Sequence, residues 1–286
     1  MNSDPSDLSQ AVAPPGDIAD ALDASRAARG AFGTPLFYFP AIGSTNDVAA
    51  RLAGSGAPEG TTVVAETQTA GRGRLGRTWF SPQGAGLYVS IVIRPDADAV
   101  TAGAAPRGPA PTLPAVLTLA AGVALAEAIA ETTGLEAEIK WPNDLVYQRR
   151  KLAGILAEAS AQGSVLDYVV LGFGVNIRAV TYPSEVVRRA TSIEAELGRP
   201  IDRGLLLARA LVGLSACRES LRRGEIAGVL ARWRRLSPSA VGSRVEWRAS
   251  DGARAGRTAG LDADGALLVE CDGRVERVVA GEVIWT

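Results

Sequence analysis

Histidine is absent from the 286 residues, cysteine occurs twice and methionine once. Without histidine, an imidazole-activated nucleophile and a metal site built on histidine ligands are both excluded. Cys217 and Cys271 alone provide neither a disulfide framework nor the ligand spacing of a metal site, which indicates a reducing, cytoplasmic location. The polar chemistry of the chain therefore depends on lysine, arginine, carboxylates and neutral polar side chains.

A surplus of charge of either sign is also missing. The 30 Lys and Arg residues are balanced by 31 Asp and Glu residues, which gives a formal net charge of −1. A general nucleic-acid-binding surface needs a basic surplus, so no nucleic-acid partner is expected. The hydrophobic share of 47% and the charged share of 21% are typical of a soluble globular protein.

No segment has the pattern of a signal peptide or of a membrane span, so no membrane partner is expected. The first residues, MNSDPSDLSQ, are polar and acidic, without a basic start or an apolar run. The apolar stretch LPAVLTLAAGVALAEAIA is interrupted by Glu127 and indicates a buried helix. Residues 1–33 are predicted to be a disordered tail with one weakly helical patch, DIADALDASRAARG.

Hydrophobic periodicity predicts a larger domain over residues 34–236. Helices are expected at 44–54, at about 113–132, at 184–197 and at 203–234, and strands at 61–66, 86–95, 136–140, 144–147, 151–159 and 165–172, with a Pro/Gly/Ala loop at 101–113. Ser44 is the expected N-cap of the first helix, Asp47 completes a capping-box-like pattern and Gly54 ends it. The helices are spaced too irregularly for repeated βαβ units, so we expect an α+β fold with a mixed β-sheet flanked by helices.

The composition changes near Pro238. Short alternating runs are separated there by Asp-Gly pairs at 251–252, 264–265 and 272–273. An Asp-Gly pair between alternating apolar residues is a strong hairpin signal. Residues 237–286 are therefore predicted to form a small C-terminal β-barrel domain.

The stretch AGRGRLGRTW, residues 70–79, places Arg72, Arg74 and Arg77 on a glycine-rich backbone. Its spacing matches the dinucleotide fingerprint G-x-G-x-x-G, but that motif needs a helix to start inside it, and Pro82 and the following glycines prevent one. A single RNA-binding RGG segment is a poor match, and an exposed charged hairpin loop is the unremarkable alternative. Because arginines repel one another and glycine is costly to order, the cluster indicates an anionic ligand.

The segment IKWPNDL, residues 139–145, contains a lysine at a strand end and an amide and a carboxylate after a Trp-Pro bend. Lys140, Asn143 and Asp144 are those residues. Such a set suits a magnesium–phosphate site, although Asn-Asp after proline is also common turn chemistry.

Two glycine-containing strands follow. In RKLAGILAE, Lys151 precedes an apolar strand in which Gly154 allows a ligand or backbone to approach, although a solvent-facing lysine is the alternative. In LGFGVNI, Gly172 and Gly174 open space beside Asn176, and a β-bulge is the alternative.

Together these segments resemble the motifs of biotin protein ligases, the enzymes that attach biotin to the carrier domains of carboxylases. The resemblance covers about residues 35–286 and is carried by STN, AETQTAGRGRLGRTW, KWPNDL, KLAGILAE and GFGVN. It implies a class II synthetase-like biotin/lipoate ligase catalytic domain followed by a Src-homology-3-like barrel. Because about 34 residues precede the catalytic domain, we expect a monofunctional ligase without the N-terminal DNA-binding domain of many family members.

The resemblance implies a reaction that consumes ATP and forms AMP and pyrophosphate. With ATP and Mg²⁺, biotin is activated as biotinyl-5′-adenylate, and a lysine of a biotin carboxyl carrier domain then displaces AMP. Carboxylate and triphosphate repel each other, so the site has to supply positive charge. An acyltransferase of the lipoate/octanoyl type, which uses no ATP, and a non-enzymatic biotin-binding regulator remain alternatives, and a homodimer is left open.

The resemblance also implies roles for individual residues. The expected biotin contacts are Ser44, Thr45, Asn46, Gln68, Arg72, Gly73, Arg74 and Lys151. The expected nucleotide contacts are Arg77, Lys140, Asn143, Asn176, Gly172 and Gly174. The expected catalytic residues are Lys151, Arg74, Lys140 and Asp144, the last also as a metal or amine-orienting group. Trp79 is expected in the core rather than in the pocket wall.

Overall fold

The computed structural model describes residues 8–96, 113–163, 165–184, 186–249, 252–279, 281 and 283–286. The strands are β1 (Leu36–Phe39), β2 (Thr62–Ala65), β3 (Gly86–Ile93), β4 (Glu138–Lys140), β5 (Asp144–Tyr147), β6 (Arg150–Gln162), β7 (Val165–Asn176), β8 (Val241–Ala249), β9 (Gly252–Leu261), β10 (Leu267–Cys271), β11 (Arg274–Val278) and β12 (Val283–Trp285). The helices are α1 (Gly16–Ala24), α2 (Arg26–Arg29), α3 (Thr45–Gly54), α4 (Leu113–Thr133), α5 (Ile193–Leu197), α6 (Arg203–Arg222) and α7 (Ile226–Arg235). The loop expected at 101–113 lies outside the described residues, except for its last residue.

A seven-stranded mixed sheet forms the larger domain, as expected. Its strand order is β1-β2-β3-β7-β6-β5-β4, with β1 and β2 parallel and the other neighbours antiparallel. Every residue of β3 is buried, with Leu87, Val89 and Ile91 in the main core and Val92 in a second cluster beneath α3. The predicted strand at 86–95 is therefore confirmed, and both faces of the central sheet are covered.

Helix α4 packs inside the protein, as its interrupted apolar sequence predicted. It is long and apolar enough to cross a membrane by length and composition, but 67% of its apolar window is buried inside the structure. It contacts α6, α7 and strand β6. Gly134, with φ +78°, follows its end, which is the left-handed conformation that terminates many helices.

The N-terminal segment differs from the disordered tail expected for residues 1–33. Helices α1 and α2 are formed, and Ile18 and Leu22, four residues apart on one face of α1, are buried in the main core. Asp17 accepts a hydrogen bond of 3.0 Å from Arg203 at the start of α6. The polar composition of the segment hides this short apolar face in the sequence. Residues 8–33 are folded against the core, whereas residues 1–7 lie outside the described part.

The predicted helices at 184–197 and 203–234 also need correction. Among the residues of the first segment that the structure describes, only Ile193–Leu197 is helical. Just before this helix, the Arg189 carbonyl accepts a hydrogen bond from the Lys151 N–H (2.6 Å). The backbone at Arg189 and Ala190 therefore pairs with the start of β6 and does not continue a helix. The second segment divides into α6 and α7 at Gly224, which has φ +74°.

The C-terminal strands form a five-stranded antiparallel sheet in the order β11-β10-β9-β8-β12, in agreement with the predicted Src-homology-3-like barrel. Asp272 (φ +50°) and Gly273 (φ +73°) form the predicted two-residue turn between β10 and β11. This sheet shares the core of the larger domain, and Trp141 Nε1 donates to the Gly265 carbonyl across the junction (3.2 Å).

Candidate active site

A polar pocket lies where the start of α3, residues 71–79 and the middle of β6 and β7 meet. The residues that line it are Ser44, Thr45, Asn46, Gln68, Arg72, Gly73, Arg74, Trp79, Val89, Asn143, Lys151, Gly154, Ile155, Leu156, Gly172, Phe173 and Gly174. All eight expected biotin contacts are among them, although they come from segments up to 107 positions apart (44 to 151). Of the six expected nucleotide contacts, Asn143, Gly172 and Gly174 line the pocket.

The start of α3 is capped differently from the expected capping box. Ser44 occupies the N-cap position and is buried, but its side chain makes no capping hydrogen bond. Gln68 Oε1 instead accepts hydrogen bonds from the Thr45 N–H (2.8 Å) and the Thr45 hydroxyl (3.1 Å). Asp47 pairs with Arg72 outside the helix. A distant amide therefore satisfies the helix end, and its orientation is fixed because its Nε2 donates to Ser81 (3.0 Å).

Asn46 projects from α3 onto the sheet at Gly172. A Cβ atom at Gly172 would lie 2.2 Å from Asn46 Oδ1, so glycine is required for this side chain to lie there. The same oxygen lies 2.5 Å from the hydroxyl of Ser90 on β3. The β6–β7 register is regular around Gly172 and Gly174, which excludes the β-bulge alternative.

Residues 71–79, hereafter the Arg-Gly loop, form a tight turn rather than the start of a helix, as the sequence predicted. The Gly73 N–H donates to the Arg77 carbonyl (2.6 Å), and the Trp79 N–H donates to the Gly71 carbonyl (2.9 Å). A Cβ atom at Gly71 would lie 2.6 Å from the Trp79 carbonyl oxygen. The loop thus needs glycine where its two arms approach most closely.

Arg72 is enclosed by carboxylates of the chain itself. It forms ion pairs with Asp47 of α3 and with Glu158 of β6, the latter at 2.9 Å. Partial burial opposes its charge, but the hydrogen bonds to Glu158 and Asp47 raise the pKa of Arg72 above its ordinary value. Two carboxylates of the chain thus already pair with the charge of Arg72, and its contact with biotin stays a prediction.

Arg74 extends in the opposite direction from Arg72. Its guanidinium donates to Asn143 Oδ1 (3.1 Å) and to the Gly281 carbonyl of the C-terminal domain (3.3 Å). Asn143 Nδ2 in turn donates to the Ile155 carbonyl (2.9 Å), so both ends of this amide are engaged. The Arg-Gly loop, the KWPND turn and the C-terminal domain consequently meet at Arg74.

Lys151 lies at the cationic end of the pocket. Its Nζ is 2.7 Å from Asp144 Oδ1 and 5.2 Å from the centre of the Trp79 ring. The ring lies over two glycines, because a Cβ atom would be 2.4 Å from the indole Nε1 at Gly174 and 2.9 Å from the indole at Gly154. Trp79 therefore walls the pocket, and its assignment to the core was wrong.

Four expected site residues are not among those that line the pocket, and one of them, Asp144, contacts the pocket residue Lys151. Asn176 is buried, and its Nδ2 donates to the Thr191 carbonyl (3.0 Å) beneath the start of β6. Lys140 ends β4 in register with Asp144, and Arg77 is exposed on the outer arm of the Arg-Gly loop. The structure thus gives Asn176 a scaffolding contact and leaves the nucleotide roles of Lys140 and Arg77 as predictions.

No group of three potential metal-ligating residues (His, Cys, Asp or Glu) occurs within the ranges that the structure describes. Asp144, the expected metal ligand, is paired with the Lys151 ammonium, and its metal role stays a prediction. A single paired carboxylate does not form a dedicated magnesium cage. The geometry supports Asp144 as an amine-orienting group, here for the amine of Lys151.

Sequence reasoning missed Ser90 and Glu158, which both contact Asn46. Glu158 could have been predicted from the two-residue period of a strand. Gly154 and Glu158 lie an even number of residues apart in KLAGILAE and therefore share a face of the sheet. Ser90 could have been found in the same way, as the polar member of one buried face of β3.

The matched domains define the class of protein. Residues 38–176 match the biotin/lipoate A/B protein ligase family, and residues 241–285 match the biotin protein ligase C terminal domain. The first match contains the whole lining of the pocket, and the second contains all five strands of the C-terminal sheet. The chain is thus composed of a catalytic domain of the biotin/lipoate type and the small domain that follows it in biotin protein ligases.

Individual relatives agree with this assignment. The bifunctional ligase/repressor BirA of Bacillus subtilis is 32% identical over 253 residues, which cover 88% of this chain and 74% of the relative. The biotin–[acetyl-CoA-carboxylase] ligase of Mycobacterium tuberculosis is 33% identical over 258 residues, 85% of each chain. A biotin protein ligase from Aquifex aeolicus in complex with biotin and ATP superposes with a TM-score of 0.72 at 27% identity, covering 88% of this chain and 98% of that one. The chain belongs to the biotin protein ligase family.

Proposed function

We propose that this protein is an ATP-dependent ligase that converts biotin to biotinyl-5′-adenylate and transfers it to a lysine of a biotin carboxyl carrier domain. Family membership supports the reaction, and relatives are named biotin–[acetyl-CoA-carboxylase] ligase. The single observation that carries the proposal is the pocket itself. One cavity is lined by all eight side chains and backbone positions expected to contact biotin.

The charges around the pocket orient biotin within it. At the α3 end, Thr45, Gln68 and Asn46 present hydroxyl and amide groups, which suit the uncharged ureido ring. Arg72 is paired there with two carboxylates, so these three charges sum to −1 and disfavour a carboxylate. The biotin carboxylate therefore points to the other end, where Lys151 has one carboxylate partner, Asp144, among the described residues.

Lys151 then acts on the first half-reaction. A carboxylate oxygen of biotin attacks the α-phosphorus of ATP, the bond to the β-phosphate oxygen breaks, and pyrophosphate leaves with that electron pair. The ammonium of Lys151 offsets the repulsion between the two anions, and Asp144 with the Trp79 ring fixes its position. No protein nucleophile is needed, which agrees with a chain that lacks histidine.

The second half-reaction transfers the activated acyl group. The uncharged ε-amine of the carrier lysine attacks the acyl carbon, the bond to the phosphate oxygen breaks, and AMP leaves as the amide forms and a proton is lost. Arg74 connects the Arg-Gly loop to Asn143 and to the C-terminal domain across the pocket, and so helps to keep the reactive anhydride from water.

Magnesium belongs to the substrate MgATP in this proposal. The phosphates carry the ion, since Asp144 is the expected protein ligand and is already paired with Lys151. A cytoplasmic location is part of the same proposal. It is supported by two free cysteines, of which Cys217 is buried and has its pKa raised by desolvation. Monofunctionality and absence of DNA binding stay predictions.

The experiment mixes the purified chain with biotin and MgATP and measures pyrophosphate release, followed by addition of a carrier domain. The proposal expects biotin-dependent pyrophosphate and a stable amide on one carrier lysine. An octanoyl-type acyltransferase would release no pyrophosphate, and a biotin-binding regulator would leave the carrier unlabelled. Either result would overturn the proposed function.

A further inference from the structure

Glu158 of β6 joins two of the residues that line the biotin end of the pocket. One oxygen, Oε2, accepts a hydrogen bond from Asn46 Nδ2 (2.5 Å) and one from Arg72 (2.9 Å). These partners come from α3 and from the Arg-Gly loop, which are also joined by the Arg72–Asp47 ion pair. Glu158 itself is not among the residues that line the pocket, so it acts through its partners.

The contact fixes which way the Asn46 amide points. Its Nδ2 donates to Glu158, and its Oδ1 faces the hydroxyl of Ser90 and lies against Gly172. An amide without such anchors can rotate by half a turn and exchange its donor and acceptor. With both anchors, Asn46 presents one fixed pattern of donor and acceptor to a ligand.

The exposure of the carboxylate argues against a mainly structural role. The Glu158 side chain is 41% exposed, and that of Arg72 is 40% exposed. Ion pairs with this exposure contribute little to stability. Asn46, in contrast, is buried, so its polar atoms need partners and depend on Glu158 for one of them.

We propose that Glu158 is a positioning residue that sets the selectivity of the pocket for biotin, an inference that rests on the proposed function. By orienting Asn46, it keeps buried hydrogen-bonding groups directed at the ureido ring. An alkyl chain or a dithiolane ring cannot pair with these groups and leaves them unsatisfied, which penalises octanoate and lipoate.

Three variants separate the contributions. E158A removes both hydrogen bonds, and E158Q keeps an oxygen that can accept both but removes the charge. D47N is the matched control, because Asp47 is the other partner of Arg72 and, within the described part of the chain, its side chain makes no hydrogen bond to Asn46. Biotin and octanoate are each titrated by calorimetry and tested as substrates in ATP–pyrophosphate exchange.

For E158A, the Kd and the KM for biotin should rise at least about tenfold. The kcat at saturation, the KM for ATP, and the Kd and KM for octanoate should stay within about twofold. E158Q should raise the biotin Kd by about threefold, and D47N by less than E158A. The ratio of biotin to octanoate use should fall in parallel with the biotin effect.

A biotin Kd within twofold of the parent value in both Glu158 variants would overturn the inference. It would also be overturned if D47N matched E158A, because the effect would then run through Arg72 alone, or if biotin and octanoate were weakened equally. If E158A does not fold, the E158Q titration decides the question. Absence of exchange in the parent protein would instead contradict the proposed function.

Discussion

Replacing Lys151 by alanine should severely impair the adenylation step without unfolding the protein. The side chain is 34% exposed and makes its ion pair at the pocket, so its loss leaves the core intact. The variant should retain its circular dichroism spectrum and melt within a few degrees of the parent protein.

The expected loss of activity has two parts. A unit charge about 4 Å from a reacting anion is worth about 4 kcal/mol at an effective dielectric constant near 20, and removing one such donor from an active site costs about 2–4 kcal/mol. In addition, Lys151→Ala leaves the Asp144 carboxylate unpaired beside the anionic substrates. We therefore expect kcat/KM for pyrophosphate exchange to fall by about 30-fold to 1,000-fold.

The unpaired Asp144 carboxylate can be tested separately. In the double variant Lys151→Ala/Asp144→Asn the unpaired carboxylate is absent, so the double variant should exchange pyrophosphate faster than Lys151→Ala alone. The assay is ATP–pyrophosphate exchange at saturating and limiting biotin. Near-parental exchange by a folded Lys151→Ala protein would remove Lys151 from the mechanism, and a double variant slower than the single one would refute its pairing role.

Three further changes test other parts of the structure. Gly174→Ala should lower kcat/KM for biotin and for ATP at least tenfold, because the new Cβ would lie 2.4 Å from Trp79 Nε1. In the control variant Gly228→Ala the new Cβ meets nothing within 4 Å, so both values should stay unchanged. Arg74→Gly removes the contacts with the KWPND turn and the C-terminal domain, so biotinyl-adenylate should escape from the pocket. The ratio of labelled serum albumin to labelled carrier domain should then rise, and an unchanged ratio would contradict this. Ile18→Ala should lower the free energy of unfolding by about 2–4 kcal/mol in denaturant titrations, and a neutral effect would restore the disordered-tail prediction.

The sequence predicted the parts of the fold that depend on local patterns. The strand β3, the apolar helix α4 and the Asp272-Gly273 turn are all present, because periodicity and turn chemistry act over a few residues. The helical patch near the N-terminus was predicted and is present as α1 and α2, but its packing on the core was missed for the converse reason. The two apolar residues of α1 are sufficient only because α6 provides the surface on which they pack.

The site shows the same division between local and long-range information. The motifs predicted which segments meet at the pocket, since the resemblance carries residue types at matching positions. They did not predict that Arg72 is paired with Asp47 and Glu158. They also did not predict that the Asn176 amide donates to the Thr191 carbonyl beneath the start of β6. These contacts join segments far apart in the chain, and their geometry depends on the register of strands that no short motif records.

The central claim is that this pocket forms biotinyl-5′-adenylate and passes it to a carrier lysine. The most direct measurement incubates the purified protein with biotin, MgATP and a biotin carboxyl carrier domain, and follows the intact mass of the carrier. We expect one added biotinyl group per carrier, strictly dependent on ATP and abolished when the acceptor lysine is replaced by arginine. A carrier mass that does not change, or a mass gain that is independent of ATP, would contradict it.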